Sequence, residues 1–185
     1  MARMLPPRVS PDLPSRAEAR LFEVIRQGLG EEWTALHSLG LTGHERTPWT
    51  ETDFVLVGPP GVFCLEVKGG RVRREQGTWV LTDREGREHT DREGPFAQAA
   101  GAAAALRAYL LSRLAWMEEA VVGYGVALPD LRWRLEGPDM PPQVVCDERD
   151  LDRPFSQYAA RLASHWQGWK AQRTGRPARS LTPAE

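Results

Sequence analysis

Phosphoryl-transfer chemistry could be carried by four charged residues in the middle of the chain: Glu51, Asp53, Glu66 and Lys68. Asp53 begins one apolar, β-branched stretch, and Glu66 and Lys68 end the next one. The segment 58–61 between the two stretches consists of glycine and proline, which is typical of a turn. The pattern predicts a β-hairpin that brings the four charged side chains together at one end.

The register of this hairpin determines which side chains meet. If 58–61 is the loop, Asp53 lies directly opposite Glu66, and Glu51 lies opposite Lys68. Cross-strand Cβ atoms are then roughly 5 Å apart on one face, and like charges in that position are destabilising. Mg²⁺ or Mn²⁺, bound through oxygen ligands, would remove the repulsion between the carboxylates. We therefore expect a divalent cation between Asp53 and Glu66.

The same cluster suggests a role for its other groups. Lys68 could orient or deprotonate a water molecule, or stabilise a pentavalent phosphate. The backbone carbonyl of Val67 faces the strand edge and is a further candidate ligand, while Glu51 supports the cluster. The alternative is a solvated hairpin face on which Glu51 and Lys68 form an ion pair of little energetic consequence. Ionisable groups clustered at the end of apolar strands favour a functional site.

Five segments in a fixed order resemble the nuclease-related domain (NERD) family of the PD-(D/E)xK nuclease superfamily. The resemblance extends over about residues 15–130. The segments are a first helix that carries Glu18, then Glu51–Val57, Glu66–Gly70, a strand at Trp79, and Gly94–Gln98. Each motif is short, and their order makes the resemblance specific. Thr52 stands where many superfamily members have a proline before the aspartate.

The resemblance implies an α/β fold with a restriction-endonuclease-like core, in which a central mixed sheet of four to six strands is flanked by helices. It also implies metal-dependent cleavage of DNA, with Asp53 and Glu66 as Mg²⁺ or Mn²⁺ ligands and Lys68 as the catalytic lysine. Gln98, at the start of the following helix, would be a site residue. Glu18 matches an acidic residue that can reach the metal in related nucleases.

Two of these residues also have an ordinary structural interpretation. Ser15 and Glu18 have the spacing of a capping box, which would hold the Glu18 side chain at the helix start. Gln98 could be an exposed residue of the first helical turn.

Periodicity and turn residues predict the remaining elements. In order, they are a helix over 15–29, a short strand over 33–37, a loop over 39–49, the first hairpin, a second hairpin over 78–82 and 87–90, a helix over 96–113, strands over 121–128 and 143–146, and a helix over 154–172. We predict an extended lead-in at 1–14, the nuclease-related domain at 15–172, and a disordered tail or linker at 173–185.

Composition and charge are those of an ordinary globular protein, with 41% hydrophobic and 26% charged residues and a net charge of −1. This near-neutral net charge argues against nonspecific binding of nucleic acid through overall positive charge, but it is compatible with local contacts between basic residues and phosphates. Arg71, Arg73 and Arg74 follow Lys68 closely and are candidate contacts to a phosphate backbone. The alternative is a solvated face on which acidic residues neutralise these arginines.

Localisation and partners follow from the same features. The N-terminus lacks the apolar core of a signal peptide, and no apolar run approaches the length of a membrane span. Two isolated cysteines are expected to be buried free thiols, so a soluble cytoplasmic protein without a membrane partner is predicted. DNA is the expected substrate, and the resemblance suggests a helicase partner, in a longer chain or separate. The seven tryptophans are compatible with a homodimer interface.

Three functions are compatible with these residues. The first is a Mg²⁺- or Mn²⁺-dependent deoxyribonuclease. The second is a catalytically weak module of the same fold that binds DNA or regulates an associated helicase. The third is a structural α/β domain whose charges are surface pairs.

Overall fold

A mixed six-stranded β-sheet with helices packed against both faces organises the chain. In spatial order its strands are β1 (Arg3–Leu5), β2 (Thr34–His44), β3 (Thr47–Gly58), β4 (Gly61–Val67), β8 (Val122–Leu128) and β9 (Val145–Asp147). A separate antiparallel sheet contains β5 (Arg71–Glu75), β6 (Thr78–Thr82) and β7 (Glu88–Asp91). The helices are α1 (Arg16–Gly28), α2 (Gly94–Arg113), the short α3 (Glu148–Leu151) and α4 (Phe155–Thr174).

This computed structural model describes residues 1–10, 15–44, 47–83 and 85–182, with the backbone alone over 41–44 and 47–50. Its α/β architecture confirms the predicted central mixed sheet flanked by helices and is consistent with a restriction-endonuclease-like fold. None of the helices in these ranges is long and apolar enough to cross a membrane. Both cysteines are buried and free, as predicted.

Strand direction brings several strand ends to one edge of the sheet. β2, β3 and β4 form an antiparallel meander, whereas β4, β8 and β9 are parallel. Helix α2 lies in the connection from β4 to β8, as a parallel crossover requires. The carboxyl ends of β4, β8 and β9 therefore lie along one edge, where ligands commonly bind in open α/β sheets.

Alternating side chains of β3 and β4 divide the core between the two sheet faces. Phe54 and Leu65 belong to the larger core with α1 and α4, while Val55 and Cys64 belong to the core beneath α2. The alanine-rich run of α2 contributes Ala102 and Ala103 to that second core. Their small side chains let the helix lie close to the sheet.

The helix ends follow from local sequence. The Ser15 side chain accepts the Glu18 N–H at 3.2 Å and caps α1. Pro95 occupies the first turn of α2, where its missing N–H costs little. Gly175, with a φ of 68°, ends α4 in the left-handed conformation that favours glycine.

The predicted loop over 39–49 is wrong, because β2 continues to His44 and β3 begins at Thr47. The glycine, threonine and proline content of this segment suggested a loop. Glycine and threonine make the same backbone hydrogen bonds as other residues, and Pro48 lacks only the N–H donor and keeps its carbonyl acceptor. Strand β5 and helix α3 were not predicted. After α4, the N–H of Arg179 donates to Glu119 O and that of Leu181 to Pro59 O, so this segment lies against the domain.

Candidate active site

The β3–β4 hairpin has the predicted register. Its pairs run from Gly58–Gly61 to Phe54–Leu65, so Asp53 and Glu66 occupy the next position beyond the ladder. There the Asp53 carboxylate accepts the backbone N–H of Val67, with an Oδ2–N distance of 2.6 Å. Asp53 therefore holds the end of β4 through a side-chain hydrogen bond in place of regular strand pairing.

The β2–β3 ladder is also distorted at Asp53. It passes from the pair His37–Phe54 to the pair Leu39–Thr52 and skips Ser38, which would face Asp53. Ser38 has a φ of 54°, which is uncommon for a non-glycine residue. Irregular strand geometry of this kind often re-aims a side chain at a functional site.

Lys68 and Glu66 form a close ion pair beside Asp53. The Lys68 ammonium lies 2.6 Å from Glu66 Oε1, with 25% of the Lys68 side chain and 10% of the Glu66 side chain exposed. The N–H of Lys68 donates to Ala127 O and fixes this end of β4 against β8. Within the described ranges no ion pair joins Glu51 to Lys68, and Glu51 is exposed. The predicted Glu51–Lys68 pairing is thus replaced by the Glu66–Lys68 pair.

The carboxylates of this cluster are under-compensated. Burial and the nearby charges of Glu66 and Glu18 raise the pKa of Asp53 to about 8, although the Val67 N–H and Lys68 act in the opposite direction. Burial raises the pKa of Glu66 as well, and Glu18 and Asp91 add to this effect against the opposing influence of Lys68. One lysine therefore faces several partly buried carboxylates, and added positive charge would stabilise their ionised forms.

Glu18 approaches this cluster from α1. Its carboxylate lies 3.2 Å from His37 Nε2, and its side chain is 15% exposed. His37 is buried between the rings of Phe22 and Phe54, with centroid distances of 5.7 and 4.7 Å. The N-cap half of the predicted capping box is present at Ser15, but the Glu18 carboxylate turns toward His37 and the site.

Gln98 reaches the same region from the first turns of α2. Its Nε2 donates to Asp91 Oδ2 at 2.7 Å, and Asp91 is close enough to Glu66 to raise its pKa. Gln98 Oε1 is buried and has no hydrogen-bond partner among the described residues. An unpaired buried amide oxygen is costly, so this atom has spare capacity for a ligand. The alternative of a simply exposed Gln98 is wrong, because the residue is half-buried.

The Gly94–Gln98 motif has a structural explanation in the contact between α2 and the second sheet. Gly94 has a φ of 71°, and a Cβ there would lie 2.1 Å from Trp79 Nε1. Phe96 stacks on Trp79 at a centroid distance of 5.7 Å. Trp79 also pairs with Asp91 across β6 and β7. The packing of Phe96 on Trp79 therefore positions both Asp91, on β7, and Gln98, on α2, near the site.

The three arginines that follow Lys68 differ in availability. Arg73 forms ion pairs with Glu88 and Glu75, as the solvated-face alternative predicted. Arg74 pairs with Asp139 and also lies over the Trp79 ring. Arg71 is exposed and has no carboxylate partner among the described residues. Of the three, Arg71 is the one whose charge is not already neutralised.

The carboxylates of Asp53 and Glu66 are the candidate metal ligands of this site. In the described part of the chain, no three His, Cys, Asp or Glu side chains are arranged to hold a metal together. Asp53 and Glu66 instead offer two carboxylates whose raised pKa values reflect missing positive charge. This set suits Mg²⁺ or Mn²⁺, because such ions accept one or two protein carboxylates and keep several waters.

A mixed α/β sheet that carries an aspartate within one strand, and a glutamate and a lysine at the end of its neighbour, is the arrangement expected of a restriction-endonuclease-like nuclease domain. The family model described as the nuclease-related domain, NERD, matches residues 14–124, and the chain belongs to this family. A probable kinase of Streptomyces coelicolor, PglW, is 40% identical over 80 residues, which cover 40% of this chain and 5% of that protein. The match thus spans a small part of PglW. No solved structure matches the chain significantly.

The structure brings together the predicted residues Asp53, Glu66, Lys68, Glu18 and Gln98 in one region. Two further residues of this region, His37 and Asp91, were not predicted. No local pattern marks either of them, because His37 lies within β2 and Asp91 ends β7 in the separate second sheet.

Proposed function

We propose that this chain is a divalent-metal-dependent nuclease module that hydrolyses DNA phosphodiester bonds. The observation that carries the proposal is the close arrangement of the buried Glu66 and the half-buried Asp53, both with raised pKa values, with Lys68 bound to Glu66. Residues of catalytic sites often have pKa values shifted in this way. Membership of the NERD family supports the same class of activity.

Asp53 and Glu66 would hold Mg²⁺ or Mn²⁺, with Glu18 as a third carboxylate within electrostatic range. The Val67 N–H points to Asp53, and the N–H and C=O of a strand residue point to the same side. The Val67 carbonyl is thus a suitable further ligand. When bound, the ion supplies positive charge to phosphate oxygens and lowers the pKa of water.

Lys68 has the position of a catalytic group in this proposal. Glu66 holds its ammonium at 2.6 Å, so the charge stays beside the carboxylates rather than in bulk solvent. From there Lys68 could orient an attacking water and offset the charge that develops on the phosphate. Gln98 Oε1 could accept a hydrogen bond from that water, since it is otherwise unpaired among the described residues.

The test is cleavage of labelled single- and double-stranded DNA with Mg²⁺ or Mn²⁺ by wild type and Lys68→Ala. We expect the variant to lose roughly 10²- to 10⁴-fold in rate. Lys170→Ala is the matched control, because Lys170 is the only other lysine in the chain and contacts the Glu118 carbonyl instead. Equal cleavage by wild type and Lys68→Ala, or no cleavage by either, would contradict the catalytic proposal.

A catalytically weak module is the second candidate, and the match to PglW favours it. A segment of this kind occurs as a small part of a much longer protein, where it could bind DNA for an attached domain or an associated helicase. Binding of DNA without cleavage in the same assay would select this function. Under either proposal a cytoplasmic location suits the two free thiols.

A further inference from the structure

A cavity of about 390 Å³ lies along the edge strand β9 and extends to its carboxyl end at Asp147, outside the candidate active site. The strand registers place it on the same sheet edge as that site, because Val67 pairs with Ala127 and Ala127 pairs with Cys146. Two strand spacings, roughly 10 Å, therefore separate the ends of β4 and β9. That distance corresponds to an axial rise of about three base pairs of duplex DNA, so both regions can contact one bound strand.

Four arginines line the cavity: Arg134, Arg149, Arg153 and Arg161. They face three carboxylates, those of Glu136, Asp147 and Asp150. Arg149 is held by Asp147 at 2.6 Å and Arg161 by Asp150 at 2.9 Å, so these two arginines are fixed in position. The arrangement keeps guanidinium groups ordered at the wall, where they can bind a phosphate with little loss of side-chain entropy.

The other two arginines have unneutralised charges. Arg134 and Arg153 are exposed, and neither has a carboxylate partner among the described residues. The cavity thus combines two anchored guanidinium groups with two available ones, which is a donor set for an anion with several oxygens.

Trp133 forms a wall shared by the cavity and the active-site region. It stacks on Trp79 at 6.1 Å and lies 5.8 Å from Phe96, which begins the helix that carries Gln98. Its indole Nε1 is buried and lacks a hydrogen-bond acceptor among the described residues. This unpaired buried N–H belongs to a residue that lines the cavity, and it is an observation independent of the arginines.

We propose that this cavity binds a phosphate group of the nucleic-acid strand that lies across the candidate active site. The inference rests on the proposed nuclease function and adds a phosphate contact roughly 10 Å from the end of β4. Arg134 and Arg153 contact the phosphate, and Arg149 and Arg161 shape the wall. Such contacts fix the position of the strand without reading its sequence.

The test is binding of a fluorescein-labelled oligonucleotide with Ca²⁺ in place of Mg²⁺, measured by anisotropy over a range of salt concentrations. The variant Arg134→Ala/Arg153→Ala should bind at least about tenfold more weakly and lower the salt dependence by about one phosphate contact. Its melting temperature should match that of wild type, because both side chains are exposed and unpaired. The control is Arg107→Ala/Arg173→Ala, in a groove beside Val121 and Val122 at the opposite ends of the strands.

Unchanged affinity of the cavity variant, or an equal loss in the control variant, would overturn the cavity proposal while leaving the nuclease proposal to the Lys68→Ala assay. Calorimetry with inorganic phosphate distinguishes a free anion from a strand. Tight phosphate binding that leaves oligonucleotide affinity independent of Arg134 and Arg153 would also overturn it. Failure of wild type to bind any oligonucleotide would contradict both proposals.

Discussion

Two acidic clusters lie along the same edge of the sheet, and their charges are balanced in opposite ways. At the end of β4, Asp53 and Glu66 share one close cation, Lys68, and burial raises the pKa of both carboxyl groups. At the end of β9, Asp147 and Asp150 each have an arginine of their own.

Asp147 illustrates full compensation. Burial alone would raise its pKa, but hydrogen bonds from the Arg149 side chain and from the Trp133 and Arg149 N–H groups outweigh burial and hold the pKa below its ordinary value. Asp53 receives a single backbone N–H, and burial together with the nearby charges of Glu66 and Glu18 raises its pKa to about 8.

The difference separates a structural cluster from a candidate metal site. A buried carboxylate that is paired with an arginine and accepts several hydrogen bonds is compatible with a stable fold. A buried carboxylate without such partners destabilises the fold unless a cation binds beside it. An acidic cluster therefore indicates a cation site when its charges are unbalanced, and its acidity alone is not informative.

Removal of the compensated carboxylate should have the largest effect on stability. Asp147→Ala leaves the Trp133 N–H and the Arg149 side chain without their acceptor, so the free energy of unfolding should fall by about 2–4 kcal/mol. Urea denaturation measures this loss. Asp152→Ala, at an exposed position of the same segment, is the control and should change stability by less than about 0.5 kcal/mol. A small effect of Asp147→Ala would break the contrast between the clusters.

Neutralisation of Asp53 should act in the opposite direction. Its folded-state pKa of about 8 lies above the ordinary value of 3.8, so the metal-free protein should lose stability as the pH rises from about 4 to about 8. Asp53→Asn should remove this decline and be more stable than wild type in EDTA at pH 8, by on the order of 2 kcal/mol.

Thermal denaturation in EDTA across this pH range checks the sign. The two proteins should be similar at the acid end, where the Asp53 carboxyl group is neutral in both the folded and the unfolded state. A variant that is less stable than wild type at pH 8 would show that Asp53 is already compensated by its surroundings.

A smaller effect is expected at His37, which contacts Glu18. His37→Phe keeps an aromatic ring against Phe22 and Phe54 but removes the contact at 3.2 Å, so the affinity for Mn²⁺ should fall about tenfold. His37→Gln, which keeps a donor, should recover part of the affinity. Equal affinities of all three proteins would limit His37 to a packing role.

Much of the site could be predicted from sequence because hairpin register is local. Glycine and proline at 58–61 set the turn, and the pairs from Gly58–Gly61 to Phe54–Leu65 follow from it. The Asp53 hydrogen bond to Val67 could not be predicted, because it depends on the end of the ladder and on the conformation of Ser38.

The parts that were missed depend on contacts between distant segments. His37 is linked to the site by its contact with Glu18, which lies on α1. Asp91 is positioned near the site by the stacking of Trp79 on Phe96. The length of β2 and β3 was underestimated, because strand pairing compensates for the low β-propensity of glycine and proline between 39 and 49.

The most direct test of the central claim is Mn²⁺ binding by wild type, Asp53→Asn and Glu66→Gln, measured by calorimetry or electron paramagnetic resonance. Glu23→Gln, at an exposed position of α1, is the control for loss of a surface carboxylate. Wild type and Glu23→Gln should bind Mn²⁺ with similar affinity, and Asp53→Asn and Glu66→Gln should bind Mn²⁺ at least about tenfold more weakly. No binding by wild type at millimolar Mn²⁺, or equal affinities in all four proteins, would contradict that claim.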